Sequence, residues 1–396
     1  MIANTLVPRR FKHALALAVV AGPLAIASPA QADTPSGSDF TQALPDPVQL
    51  RPVPARDGAA DHHGDHGPVA YRTPAISAPR SFDLVGVAGD AGPLEYRTQR
   101  RGEAWSGWVE ADRGEPVYAG GADRVQVRSR GAEIEGRLHY VSIHDGTVPA
   151  DHLARREAGR PAWKPRSGKL PPQPQFVTRA QWGANSKTGG CLPRETPVTG
   201  RVKAGVIHHT VSTNTYTQTE APGIVLAICR YHRNANGWND IGYNALVDRF
   251  GNLYEGRAGG LGRAIVGAQA EGINSQTTGI ASIGDNREFS APPKERKSIA
   301  NYLAWKFGIA GIAAEGRATL TSAGGSTQRT PAGQRVRVPR IFSHNFTNFT
   351  ACAGEALIAQ VPQIKRAVAR KLSKGGGGET PPAAPPEPPP VEPARP

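Results

Sequence analysis

Val206-Ile207-His208-His209-Thr210 decides the fold of the larger part of this chain. Its apolar start and polar end make the pattern of a buried strand that finishes in polar groups. Downstream, Thr219 to Arg233 places Ile224, Ala227, Ile228 and Tyr231 on one helical face, with Gly237 as the stop. Asn244 to Asp248 and Leu253 to Glu255 flank Gly251-Asn252 and predict a hairpin. Gly279 to Gly284 is a further buried strand, and Pro292-Pro293 open a helix that closes near Gly308. Thr319 to Val338, interrupted by Gly324-Gly325, is a hairpin excursion. Alternation of strand-like and helix-like segments over 174–373 predicts an α/β domain.

The rest of the chain is organised around it. Arg9, Arg10 and Lys12, the apolar stretch Ala14 to Ala27 and Ala30-Gln31-Ala32 predict a secretory signal peptide at 1–32, too short and broken for a membrane span. The paired arginines leave a twin-arginine route open. Residues 33–80 are Pro-rich and predict a disordered linker, which includes the His-rich tract 61–66, a loose metal binder at most. Over 81–147 short alternating strands such as Leu94 to Thr98 and Arg124 to Arg128 predict a small all-β, sandwich-like domain. Trp105 and Trp108 within it are read as core in preference to a sugar-stacking platform. A second linker covers 148–173, and 374–396 is a Gly/Pro-rich tail.

Charge and cysteines bound the chemistry. The formal net charge is +14, and loss of Arg9, Arg10 and Lys12 with the signal peptide lowers it to +11. For an exported chain this points away from nucleic acid and either to anionic wall polymers or to no more than solubility. Three cysteines, Cys191, Cys229 and Cys352, permit three single pairings. Pairing Cys191 with Cys229 in an oxidising compartment leaves Cys352, which ligation to a metal would account for. His208, His344 and Cys352 then read as one zinc site, because two imidazoles and a thiolate suit zinc and three ligands leave a fourth position open for water. Taken alone, His208 would be a hydrogen-bonded core histidine and Tyr243 a packing residue.

Several motifs in order change that reading. His208-His209-Thr210, Trp238-Asn239-Asp240-Ile241-Gly242-Tyr243-Asn244, Tyr254-Glu255-Gly256-Arg257, Asn274-Ser275 through Gly279-Ile280, His344 and Thr350-Ala351-Cys352 resemble the zinc N-acetylmuramoyl-L-alanine amidases, and within them the peptidoglycan recognition protein group. The segment 81–147 also resembles a β domain that precedes such amidases in secreted actinobacterial proteins. The resemblance implies a central mixed β-sheet flanked by helices. It implies His208, not His209, as a zinc ligand beside His344 and Cys352, and catalytic roles for Tyr243 and Thr350. Substrate contacts are implied at His209, His232, Trp238, Arg257 and Asn274. The implied reaction is hydrolysis of the amide between the lactyl group of N-acetylmuramic acid and L-alanine, by a secreted or envelope-located monomer acting on peptidoglycan. The alternatives are a module that binds peptidoglycan without cutting it and an envelope protein acting through the β segment. Three departures stand out. Asn345-Phe346 replaces Arg-Asp after the second histidine and removes a candidate partner of His344. Ala353 replaces a proline, and Gln269 stands where the pattern has a histidine.

Overall fold

The computed structural model describes residues 35–49, 68–88, 94–111, 114–131, 133–144 and 170–375. The expected signal peptide, the His-rich tract, most of the second linker and the tail from 376 lie outside the described residues. No helix among those described is long and apolar enough to cross a membrane.

The N-terminal region is an antiparallel β-sheet of eight strands: Ser36–Ala43 (β1), Val48–Gln49 (β2), Tyr71–Arg72 (β3), Ile76–Ala88 (β4), Leu94–Gln99 (β5), Val109–Ala111 (β6), Val117–Ser129 (β7) and Arg137–His144 (β8). The main path runs β1-β8-β4-β7-β3-β2, and β5 pairs with β6 and β7. Phe82, Val85, Leu94, Tyr96, Val125, Val127, Leu138 and Tyr140 fill its interior. The linker expected at 33–80 is corrected here, since it supplies β1, β2, β3 and the start of β4. Ser-Gly-Ser-Asp-Phe-Thr-Gln-Ala has no alternation of its own. It becomes a strand by pairing with β8, from Ser36 opposite His144 to Ala43 opposite Arg137. Trp105 and Trp108 are also corrected, for they are half-buried on the outside of the sheet. Arg97 lies between the two rings, 4.9 and 4.8 Å from their centroids, and Arg128 covers Trp108 at 4.3 Å.

The C-terminal region contains Phe176–Val177 (β9), Ala204–His209 (β10), Ala221–Asn234 (α1), Ala245–Val247 (β11), Leu253–Glu255 (β12), Thr277–Ser282 (β13), Pro293–Ala310 (α2), Arg317–Thr321 (β14), Arg335–Pro339 (β15), Ile341–Ser343 (β16), Glu355–Ile358 (α3) and Val361–Gly375 (α4). Six strands form a mixed sheet in the order β16-β10-β13-β11-β12-β9, in which only the β11–β12 hairpin is antiparallel. α1 packs with Leu246, Tyr243 and Ala281 on one face. α2 and α4 cover Ile207, Ile280 and Val247 on the other. The fold is therefore α/β with a central mixed sheet between helices.

α1 is buried along most of its length, from Ala221 to His232, because it has two neighbours. One is the mixed sheet; the other is the β region, whose Leu84 and Val141 join the same apolar cluster. Polar ties frame this contact. Arg230 and Asn234 of α1 both reach Asp39 of β1, the latter at 2.8 Å. Burial opposes the charge on Asp39, but hydrogen bonds from His139 and Arg230 hold its carboxyl below the ordinary carboxylate range.

Candidate metal centre

Successive residues of a strand face opposite sides of the sheet, so β10 sends His208 and His209 apart. His208 turns toward α1 and meets Tyr243, with ring centroids 5.3 Å apart, and His344, at 4.6 Å. The loop after β16 brings up Cys352. It is closed by the Asn345 N–H donating to the Cys352 carbonyl at 2.8 Å, and by the Cys352 N–H donating to Thr350 Oγ1 at 2.9 Å. The backbone N–H of His209 points at Cys352 Sγ, 3.4 Å away. Cys352 Sγ and His208 Nδ1 are 3.6 Å apart. Donor atoms of His208, His344 and Cys352 all lie within 4.8 Å of one another.

The electrostatics suit ligation. Burial drives the His208 imidazole well below its ordinary pKa, and the field of His344 adds to the fall. Burial likewise lowers His344 to about 3. Both rings are therefore neutral near pH 7, each with one unprotonated nitrogen. His344 Nε2 is buried with no hydrogen-bond partner among the described residues. An unmet buried polar atom is costly unless something absent from the chain satisfies it. Two neutral imidazoles, a buried thiol outside the disulfide and an orphaned ring nitrogen fit a soft-to-borderline divalent cation such as zinc.

The other expected site residues divide. Tyr243 is 2% exposed and stands between His208 and His232. Thr350 holds the turn that presents Cys352. His209 is not in the groove: it is buried on the opposite face, and its Nδ1 accepts the Asn286 N–H at 3.1 Å. His232 is fully buried and saturated, with Nδ1 accepting from Gly242 N at 3.1 Å and Nε2 3.1 Å from Glu115 of the β region. Trp238 is half-buried and lies against the His232 ring, with centroids 4.6 Å apart. Arg257 donates to the Ile241 carbonyl at 3.2 Å. Asn274 spends its side-chain oxygen on the backbone N–H groups of Gln269 and Ala270, at 2.8 and 2.9 Å. His209 and His232 are thus buried and bonded within the fold, where they do not face solvent, while half-buried Asn274 commits only its side-chain oxygen to the scaffold.

Cys191 and Cys229 form a disulfide that ties the loop before β10 to α1 across 38 residues. A loop of that size is stabilised by about 4 kcal/mol in the chain-entropy account. Sequence reasoning missed two supports. Buried Arg179 donates to the Gly256 and Cys191 carbonyls, both at 2.6 Å, and to Asp240 at 3.1 Å, which fixes the loop before Tyr243. Glu115 was missed because its partner is 117 residues away.

Part of the chain is similar to known proteins. Residues 198–354 match the N-acetylmuramoyl-L-alanine amidase family model. Peptidoglycan-recognition protein SC2 of Drosophila simulans is 35% identical over 110 residues, which is 28% of this chain and 55% of that protein. The chain spans about half the length of the curated relatives it matches. Among solved structures, wild-type Drosophila PGRP-LB is 23% identical and aligns over 47% of this chain and 91% of its own, with a TM-score of 0.35. An endolysin N-acetylmuramoyl-L-alanine amidase, LysCS from Clostridium intestinale, is 23% identical over 43% of this chain and 87% of its own, with a TM-score of 0.30. Residues 198–354 are thus similar to the N-acetylmuramoyl-L-alanine amidase family, and part of the C-terminal region is similar to peptidoglycan-recognition proteins.

Proposed function

We propose that this protein is a zinc-dependent N-acetylmuramoyl-L-alanine amidase that hydrolyses the amide between the lactyl group of N-acetylmuramic acid and L-alanine in peptidoglycan. The observation that carries this reading is the convergence of His208, His344 and Cys352 within 4.8 Å inside the segment similar to the amidase family. The protein acts as a secreted or envelope-located monomer, released from a signal peptide at 1–32. Its positive charge favours approach to anionic wall polymers.

An amide resists hydrolysis because its carbonyl is a poor electrophile and its amine a poor leaving group. His208, His344 and Cys352 would hold a zinc ion, which would supply Lewis acidity to the carbonyl and an activated water to attack it. The chain's own residues do the rest. His208 and His344 are kept neutral by burial, so each offers a lone pair without first losing a proton. The Tyr243 hydroxyl, beside His208, donates a hydrogen bond to the carbonyl oxygen as negative charge grows on it. Thr350 acts through the turn that presents Cys352, and burial around the trio excludes bulk water.

The test is incubation of purified peptidoglycan with the zinc-loaded full chain, with and without chelator. New N-terminal alanine that disappears with chelator supports the amidase. Retention of the protein on peptidoglycan with no new amino terminus would replace it with a recognition module.

A further inference from the structure

We infer that Gln269 is a positioning residue for the metal centre: its side-chain amide places the ring proton of His208 on Nε2 and so presents Nδ1 as the ligand atom. This role rests on the metal-site reading above only for its consequence, not for its geometry.

Thr277 sets the direction of the whole chain of hydrogen bonds. Its hydroxyl has one proton, which it donates to the Ile273 carbonyl at 3.0 Å. The same oxygen lies 3.0 Å from one terminal atom of the Gln269 amide. With its proton already spent, Thr277 Oγ1 must accept there, so that atom is the Gln269 nitrogen. The amide oxygen then faces His208 Nε2 at 2.5 Å. A carbonyl oxygen carries no proton, so Nε2 must donate. A neutral imidazole protonated on Nε2 has its lone pair on Nδ1, the atom 3.6 Å from Cys352 Sγ.

Neighbouring residues mount the amide with little freedom. Gln269 is 5% exposed. Its backbone N–H and that of Ala270 are held by Asn274, whose side-chain oxygen is thereby committed to the scaffold. Gly279 makes room for it: a Cβ there would sit 2.5 Å from Gln269 Cδ. Asn274, Thr277 and Gly279 therefore form the seat of one glutamine. Gln269 is the residue that departs from the histidine of the resembled pattern, and in the fold it has a partner of its own.

Two measurements test this. Long-range proton–nitrogen correlation spectra of the metal-free full chain report the His208 tautomer, and zinc(II) affinity is read by competition with a chromophoric chelator. The expected wild-type tautomer is Nε2–H. Gln269→Leu, close in volume but unable to accept, should lose that preference and weaken zinc binding about 10–100-fold. Gln269→Glu keeps an acceptor toward His208 while giving up the donor to Thr277, and should keep the Nε2–H tautomer and bind zinc more tightly than Gln269→Leu. A wild-type His208 protonated on Nδ1 would overturn the proposal, as would wild-type zinc affinity in a folded Gln269→Leu. If the wild type binds no zinc, the amidase reading falls, and the tautomer alone decides the role of Gln269. If Gln269→Leu does not fold, the wild-type spectrum and the Gln269→Glu variant decide between the two outcomes.

Discussion

Four buried histidines of the α/β region fall into two pairs. His209 has Nδ1 met by the Asn286 N–H, and His232 has both ring nitrogens met, by the Gly242 N–H and Glu115. His208 has Nε2 met by Gln269 and Nδ1 facing the Cys352 thiol, while His344 Nε2 is left without a hydrogen-bond partner among the described residues. All four are buried or nearly so, and burial alone does not separate them. What stands apart is the buried Nε2 of His344, which the described residues leave unmet beside His208 and Cys352.

Substitutions in each pair should tell them apart. His344→Ala should abolish stoichiometric zinc and lower peptide release from peptidoglycan by about a thousandfold or more. Metal analysis and amino-terminal assay read both; retained zinc would move the site elsewhere. Tyr243→Phe should keep the zinc and lower kcat about 100-fold, and an unchanged kcat would return Tyr243 to ordinary packing. His232→Ala should do the reverse. Zinc content stays, while stability falls by roughly 3 kcal/mol because Glu115 and Gly242 N–H lose a buried partner. Loss of zinc with retained stability in a urea titration would join His232 to the site.

Glu295 shows a third way of meeting the same problem, away from the site. Its Oε1 and Ser282 Oγ lack partners of good hydrogen-bond geometry among the described residues. Burial, with Asp248 adding, pushes its carboxyl up to about 7. An acid can resolve an unmet atom by keeping a proton, a course open to Glu295 and one that burial opposes at His344. The folded state binds that proton more tightly than the unfolded chain. Stability from the protonated acid is thus present below about pH 4.5 and is lost as pH rises through about 7. Glu295→Gln should therefore gain on the parent by roughly 1–3 kcal/mol between pH 5 and pH 8. A pH-independent difference in melting temperature would refute this.

Local patterns made much of the α/β region legible. The strand at His208, the helix now seen over Ala221–Asn234, the hairpin around Gly251 and the helix from Pro293 to its glycine stop, in fact Gly311, are all written in periodicity and punctuation. The juxtaposition of His208, His344 and Cys352 was legible through motif order and an odd cysteine. Long-range pairing was not. β1 has no strand pattern and is defined by β8 a hundred residues away. The same holds for Glu115 with His232, and for Gln269, which sequence presents as a mere departure. His209 misled because a motif does not say which face of a strand each of its letters occupies.

The clamp on Asp39 has a consequence for how the molecule comes apart. β1 sits near the start of the described chain, yet its carboxylate is neutralised by Arg230, 191 positions later. Leu84 and Val141 likewise finish their burial only against α1. Neither region can be peeled away without stranding a charge and opening an apolar face on both. The β region and the α/β region should therefore melt together, as a single calorimetric transition, despite their different architectures.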